Sequence, residues 1–186
     1  MPGVEINVED IIFDPKIQSY CYNSKFKCPN YGHSWTCPPE APYLEEEVSQ
    51  YEKLFLIYYE FNLKEYVERI KIKSRKRSEE KIRNSFYSKE IVRDYLEKEI
   101  NLFLQNYSES YNEKLILWDG YCRICFKEGK SCTYDDGIPC RYPDKKKFSM
   151  EAVGIDVDKT VKSIGIEIEW PPVNFAYRFG LICFKL

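Results

Sequence analysis

Four cysteines fall within nineteen residues in the middle of the chain: Cys122-Arg-Ile-Cys125, then Cys132 and Cys140. Three more, Cys21, Cys28 and Cys37, are grouped near the start. Disulfides rarely persist in a reducing compartment, so thiols spaced this closely point to metal or redox chemistry. Four thiolates suffice to close a tetrahedral or cluster site. The fold must therefore deliver two cysteine loops, 21–43 and 119–144, from one scaffold.

An export signal would change this reading. The N-terminal Met-Pro-Gly-Val-Glu-Ile lacks the basic-then-apolar pattern of a signal peptide. No apolar run approaches the roughly 20 residues that span a bilayer, the nearest being Leu54–Tyr59. A cytoplasmic protein without membrane insertion is expected. The net charge of −2 gives no general affinity for nucleic acid. With 186 residues and 44% apolar content, the chain is expected to form one metal-binding domain over 1–186.

The expected architecture is α+β, a mainly antiparallel sheet packed on a long amphipathic helix, with both cysteine loops emerging beside it. Strands are predicted at Asp10–Phe13, Lys53–Phe61, Lys114–Trp118, Ile166–Trp170 and Phe175–Phe184, the last two forming a hairpin across Pro171-Pro172. Helix is predicted from about Leu63 to Tyr111. Its amphipathic stretch between Glu79 and Tyr107 places Ile82, Phe86, Val92, Leu96, Ile100, Phe103 and Leu104 at three- and four-residue spacing, with Ser78 as cap. The five positive charges of Lys71–Arg77 read as a solvated helix end. A short helical start at Ser149 precedes a helix capped by Asp156 or Asp158 and ended by Gly165.

The main loop reads C-x2-C-x6-C-x7-C. The C-x2-C turn brings two sulfurs onto one centre. Gly129 and Gly137 supply backbone freedom, and Pro139 and Pro143 stiffen the exit. Zinc ribbons usually carry two C-x2-C knuckles, and here there is one, which fits an iron–sulfur loop better; zinc remains the alternative. Arg141 and Lys145–Lys147 adjoin this loop and read first as a solvated face, second as charges that raise a cluster's potential or guide an acidic partner.

In the first loop, Cys28-Pro29 and Cys37-Pro38-Pro39 show the Cys-Pro exit of ferredoxin-type loops. The lone His33 offers a fourth ligand. Cys183 reads as an inert thiol in the final strand, or as a distant fourth ligand. If neither ligates, one iron of a first-loop cluster stays open to substrate.

The run Cys28-Pro-Asn-Tyr-Gly-His-Ser-Trp-Thr-Cys-Pro-Pro39, with Pro139-Cys-Arg-Tyr-Pro143 and Ser149-Met-Glu-Ala-Val-Gly-Ile-Asp156, resembles a family of small proteins of unknown function described as predicted metal-binding. That family occurs in methanogenic archaea and other anaerobes. The resemblance spans nearly the whole chain. It implies oxygen-sensitive metal binding, iron–sulfur in kind, by Cys21, Cys28, Cys37, Cys122, Cys125, Cys132 and Cys140. His33 and Cys183 are not fixed members of its pattern, and the spacing from Cys125 to Cys132 is longer than in typical relatives.

Two functions follow. The first is an electron-transfer or accessory protein with one or two [4Fe-4S]-type clusters, working beside a larger redox enzyme or complex. The second is a zinc-stabilised interaction module that docks through Trp35, Tyr43 and Trp170. An enzyme with an open iron at the first loop is a third, weaker reading. With one histidine and no phosphate-binding glycine loop, hydrolase and nucleotide chemistry are disfavoured.

Overall fold

The computed structural model describes residues 3–22, 27–86 and 91–186. Four strands form one antiparallel sheet: β1 (Gly3–Ile6), β2 (Lys53–Asn62), β3 (Glu113–Leu117) and β4 (Phe175–Lys185), in the order β1-β2-β4-β3. β2 and β4 are its two central strands, paired over their length from Lys53↔Phe184 to Asn62↔Phe175. Seven α-helices surround it among the described residues: α1 (Lys16–Ser19), α2 (Glu45–Val48), α3 (Leu63–Lys73), α4 (Glu79–Phe86), α5 (Ile91–Asn106), α6 (Ile124–Lys127) and α7 (Val157–Ser163).

Side chains alternate across a strand, so β2 splits its apolar residues between two faces. Leu54, Leu56 and Tyr58 join one core with Leu181, Cys183, Leu117, Met150, Val153 and Val161. Phe55, Ile57 and Tyr59 join another with Leu96 and Ile100 of α5 and Ile182 and Phe184 of β4. Both faces of the sheet are covered. That explains why β2 and β4 read as nearly continuous apolar runs rather than polar–apolar alternations. The helix-packed face was expected; the second, built from α2, α7 and residues 150–155, was not. It is this second face that carries the first cysteine loop.

The predicted helical region is divided. α3 ends at Lys73, and the basic run Lys71–Arg77 forms its last turn and the exposed link to α4, as a solvated helix end should. Asn62 caps α3 through the Glu65 amide, and Ser78 Oγ accepts from the Lys81 amide at the start of α4. The continuous amphipathic helix expected from Glu79 to Tyr107 passes through residues 87–90, which lie outside the described residues. α4 and α5 carry its predicted apolar face on either side.

Two strand predictions need correction, and one strand was not foreseen. Residues 166–170 form no strand, because both edges of β4 are already taken by β2 and β3. Ile166 and Ile168 instead pack against the second-face core as irregular chain. Asp10–Phe13 contributes a single bridge, Phe13↔Ile155, after a 3-10 turn at Val8–Asp10. The true first strand is Gly3–Ile6. α7 begins as expected, with the Asp156 carboxylate accepting from the Lys159 amide, and Gly165 follows its end.

One glycine is demanded by this packing. Gly154 has φ +97°, and a Cβ there would lie 2.3 Å from the Tyr43 ring. Gly154→Ala is expected to cost about 3 kcal/mol, from the left-handed backbone plus displacement of the ring. This should appear as a Tm drop of roughly 10 °C for a chain of this size. An unchanged melting curve would mean that Tyr43 swings away freely.

Candidate metal centre

The main cysteine loop leaves the sheet at the end of β3 and returns beside its point of departure. Trp118 N–H donates to the Phe148 carbonyl at 2.8 Å, and Met150 N–H donates to the Trp118 carbonyl at 3.1 Å. Residues 119–147 are thus a long excursion with pinned ends. Cys125 lies on α6, where its carbonyl accepts from the Glu128 and Lys130 amides, both at 3.0 Å. Gly129 and Gly137 adopt φ +70° and +65°, left-handed turns that use the backbone freedom glycine supplies. The looser Cys132–Cys140 half is closed by Thr133, whose hydroxyl donates to the Pro139 carbonyl at 3.2 Å. Thr133 is only 2% exposed.

These turns place Cys122, Cys125, Cys132 and Cys140 around one cavity of about 200 Å³. Among the described residues, aspartate and glutamate are absent from its lining, whereas Lys130 and Lys146 are present. The first loop supplies the far wall through His33, Ser34, Trp35 and Thr36. Trp35 Nε1–H donates to Thr133 Oγ1 and to the Ile138 carbonyl, each at 3.2 Å, and its ring meets Tyr134 edge-on at 5.0 Å. His33 Nδ1 lies 2.8 Å from Asp135 Oδ1. Trp35 read from the sequence only as a docking aromatic, and Thr133 did not stand out. A tryptophan followed by Thr-Cys-Pro gives no hint of a partner 98 residues away.

The first cysteine group is built by short-range folding. Cys28 N–H donates to the Cys21 carbonyl at 2.8 Å, and Gly32 N–H donates to the Pro38 carbonyl at 2.9 Å, which turns Cys37 back towards Cys28. Burial, then Cys28 and Glu151, push the Cys21 thiol above its ordinary value. Burial, only partly offset by Ser34, and the neighbouring Cys28 and Cys21 push Cys37 up to about 11. Partly desolvated thiols that repel one another as thiolates gain most from a bound cation.

The two candidate fourth ligands lie elsewhere. His33 faces the other cavity. Cys183 sits in β4 between Leu54 and Leu115 with no exposed surface, and burial pushes its thiol up to about 12. That is the inert core thiol, far from the thiolate form a metal takes. All eight cysteines are free. Among the described residues, no three His, Cys, Asp or Glu side chains converge closely enough to hold a single metal ion.

A charged belt fixes the main loop to α5. Glu97 accepts from Lys127 at 2.7 Å, Lys147 at 2.8 Å and Arg123 at 3.1 Å, and Arg123 also pairs with Asp94 at 3.0 Å. Burial alone would raise the Glu97 carboxyl, but Lys127 and Lys147 prevail and hold it at about 2. A carboxyl lowered on folding stabilises above its unfolded value near 4.5, and the benefit is lost as pH falls from there towards 2. E97Q is therefore expected to destabilise the metal-free chain by about 1–2 kcal/mol at pH 7. The gap from wild type should narrow as pH falls below 4.5 in parallel urea titrations, and a gap independent of pH would refute this account of the belt.

A family model described as "Predicted metal-binding protein (DUF2284)" matches residues 4–184. The chain belongs to this family. Metal binding, expected from cysteine spacing alone, is thus also the family's description, and the match covers both cysteine groups and the sheet between them. No curated protein and no solved structure matches the chain. Among the described residues, no helix is long and apolar enough to cross a membrane.

Proposed function

We propose that the protein is an iron–sulfur protein of electron transfer, holding a [4Fe-4S]-type cluster through Cys122, Cys125, Cys132 and Cys140. One observation carries this reading: four cysteines and, among the described residues, no carboxylate line a single cavity of about 200 Å³. A lone zinc ion bound at about 2.3 Å would draw its four sulfurs to about 3.8 Å from one another, whereas a cavity of about 200 Å³ lined by the four cysteines has room for a polynuclear centre. Such a cluster supplies reversible one-electron chemistry. Four thiolates fill its protein-facing positions and leave none for substrate, which favours a carrier over an enzyme.

The chain's own residues set the conditions. Lys130 and Lys146 bring positive charge to the cavity, favouring the more negative reduced state and so raising the potential. Trp35 and Phe126 add apolar surface to the cavity lining. Phe126 is also 66% exposed, which offers a larger redox enzyme a short apolar approach to the site. Eight unbridged thiols fit a reducing, cytoplasmic setting.

Visible spectroscopy tests the proposal. Anaerobically purified protein should be brown, with absorption that bleaches on addition of dithionite. A colourless protein carrying zinc would replace this reading with that of a zinc-stabilised interaction module.

A further inference from the structure

The link between α3 and α4 concentrates positive charge away from both cysteine loops. Six of the nine residues 69–77 are Lys or Arg and none is acidic, in a chain whose net charge is −2. Over the wider hairpin, residues 64–83, Glu65, Glu68, Glu79 and Glu80 still leave a net charge of +5. Glu79 is held by Arg83 at 3.1 Å. Among the described residues, no carboxylate pairs with Lys71, Lys73, Arg75, Lys76 or Arg77. The link is nonetheless tied down. Ser74 N–H donates to the Ile70 carbonyl at 2.8 Å, Arg77 N–H to the Ser74 carbonyl at 3.0 Å, and Lys71 Nζ to the Arg77 carbonyl at 2.6 Å. The Arg77 guanidinium reaches on to Ser85 Oγ at 2.9 Å. Cations held on one turn repel one another, and an opposing anionic surface relieves that repulsion. Among them stands Ile72, 76% exposed, the one large apolar side chain that α3 and α4 leave in water.

We propose that this turn docks the protein on an anionic lipid surface, with its cations against the headgroups and Ile72 entering the interface. Charge complementarity calls for an anionic partner, and Ile72 selects lipid among such partners. A phosphate backbone has no use for an exposed isoleucine. Residues 69–83 also carry no aromatic side chain on which a nucleic-acid base could stack. The contact is peripheral, since one isoleucine amid Lys and Arg is a shallow anchor whose strength is mainly electrostatic. Docking here does not depend on which metal the cysteines hold.

Vesicle sedimentation decides the matter. The full chain, purified anaerobically, should pellet with vesicles of equal parts phosphatidylcholine and phosphatidylglycerol and stay in solution with phosphatidylcholine alone. About 1 M salt, where charges are screened beyond about 3 Å, should release it. Each Lys or Arg near an anionic leaflet strengthens binding about fivefold, so Lys73→Glu combined with Lys76→Glu should weaken it by at least about 25-fold. Ile72→Ser should weaken it on the order of fivefold. All three side chains are exposed, so the fold should hold in both variants. Equal sedimentation with the two kinds of vesicle overturns the proposal, and so does vesicle binding that the paired lysine variant leaves unchanged. Tighter binding to a mixed-sequence RNA duplex than to the vesicles, indifferent to Ile72→Ser, also overturns it and marks a phosphate-backbone site. The wild-type comparison stands whether or not the variants fold, and each of these results leaves the main-cavity reading intact.

Discussion

Cys125→Ser is expected to empty the main cavity of metal while the sheet stays folded. Cys125 sits on α6 with its thiol in the cavity wall, whereas the cores on both sheet faces are assembled from residues outside the loop. Loss of an outer-shell partner alone weakens metal sites 10–100-fold, so loss of a ligand should exceed about 100-fold. Metal analysis should show the loss of that centre, and the Tm should fall by the stabilisation that binding had added to the folded state. Cys183→Ala is the matched control. It leaves the metal content unchanged and costs only a small core cavity, because Cys183 is packed in the sheet. If Cys125→Ser retained full metal, or Cys183→Ala lost it, the assignment of ligands would be wrong.

Asp119→Ala is expected to cost about 3–5 kcal/mol. Asp119 opens the main loop, and its Oδ2 lies 3.5 Å from Nε of both Arg93 on α5 and Arg178 on β4. Burial raises its carboxyl, with Arg178 and then Arg93 pulling the other way, as in an ion pair largely withdrawn from water. Removing the carboxylate leaves two guanidiniums facing each other where the loop leaves the sheet. Urea unfolding should register the loss, and metal affinity at the main cavity should fall about tenfold as the loop loses its base. D119N keeps the shape and removes the charge, so most of the loss should persist. A D119N chain as stable as wild type would show that shape, not charge, holds this corner.

Much of the fold was legible in the sequence because local rules governed it. β2 follows from a dense aromatic and β-branched run, β3 from the short apolar Leu115-Ile-Leu117, and α7 from an aspartate cap and a following glycine. The hairpin at 166–170 failed for a non-local reason. Alternation in Ile166–Trp170 signals a strand, but β4 had no free edge to pair with it. The second covered face of the sheet was hidden likewise, since it is assembled from α2, α7 and the turn at 150–155.

The candidate site divides along the same line. Spacing offered Cys122, Cys125, Cys132 and Cys140 as one ligand set; all four line one cavity, but among the described residues no three ligating side chains converge on a point. It also offered His33 and Cys183 as completing ligands, but no spacing rule reveals that His33 turns to the other loop or that Cys183 lies inside the sheet. The Trp35–Thr133 contact that brings the two loops together is likewise a product of tertiary packing. Trp35, set down from the sequence as an exposed docking residue, is instead committed to the main loop.

The most direct test of the central claim is the iron, acid-labile sulfide and zinc content per chain of the anaerobically purified protein. A cluster at the Cys122–Cys140 cavity predicts iron and sulfide in equal amounts, at about four of each per occupied centre for a [4Fe-4S] group, with zinc at trace level. One equivalent of zinc with neither iron nor sulfide would contradict it.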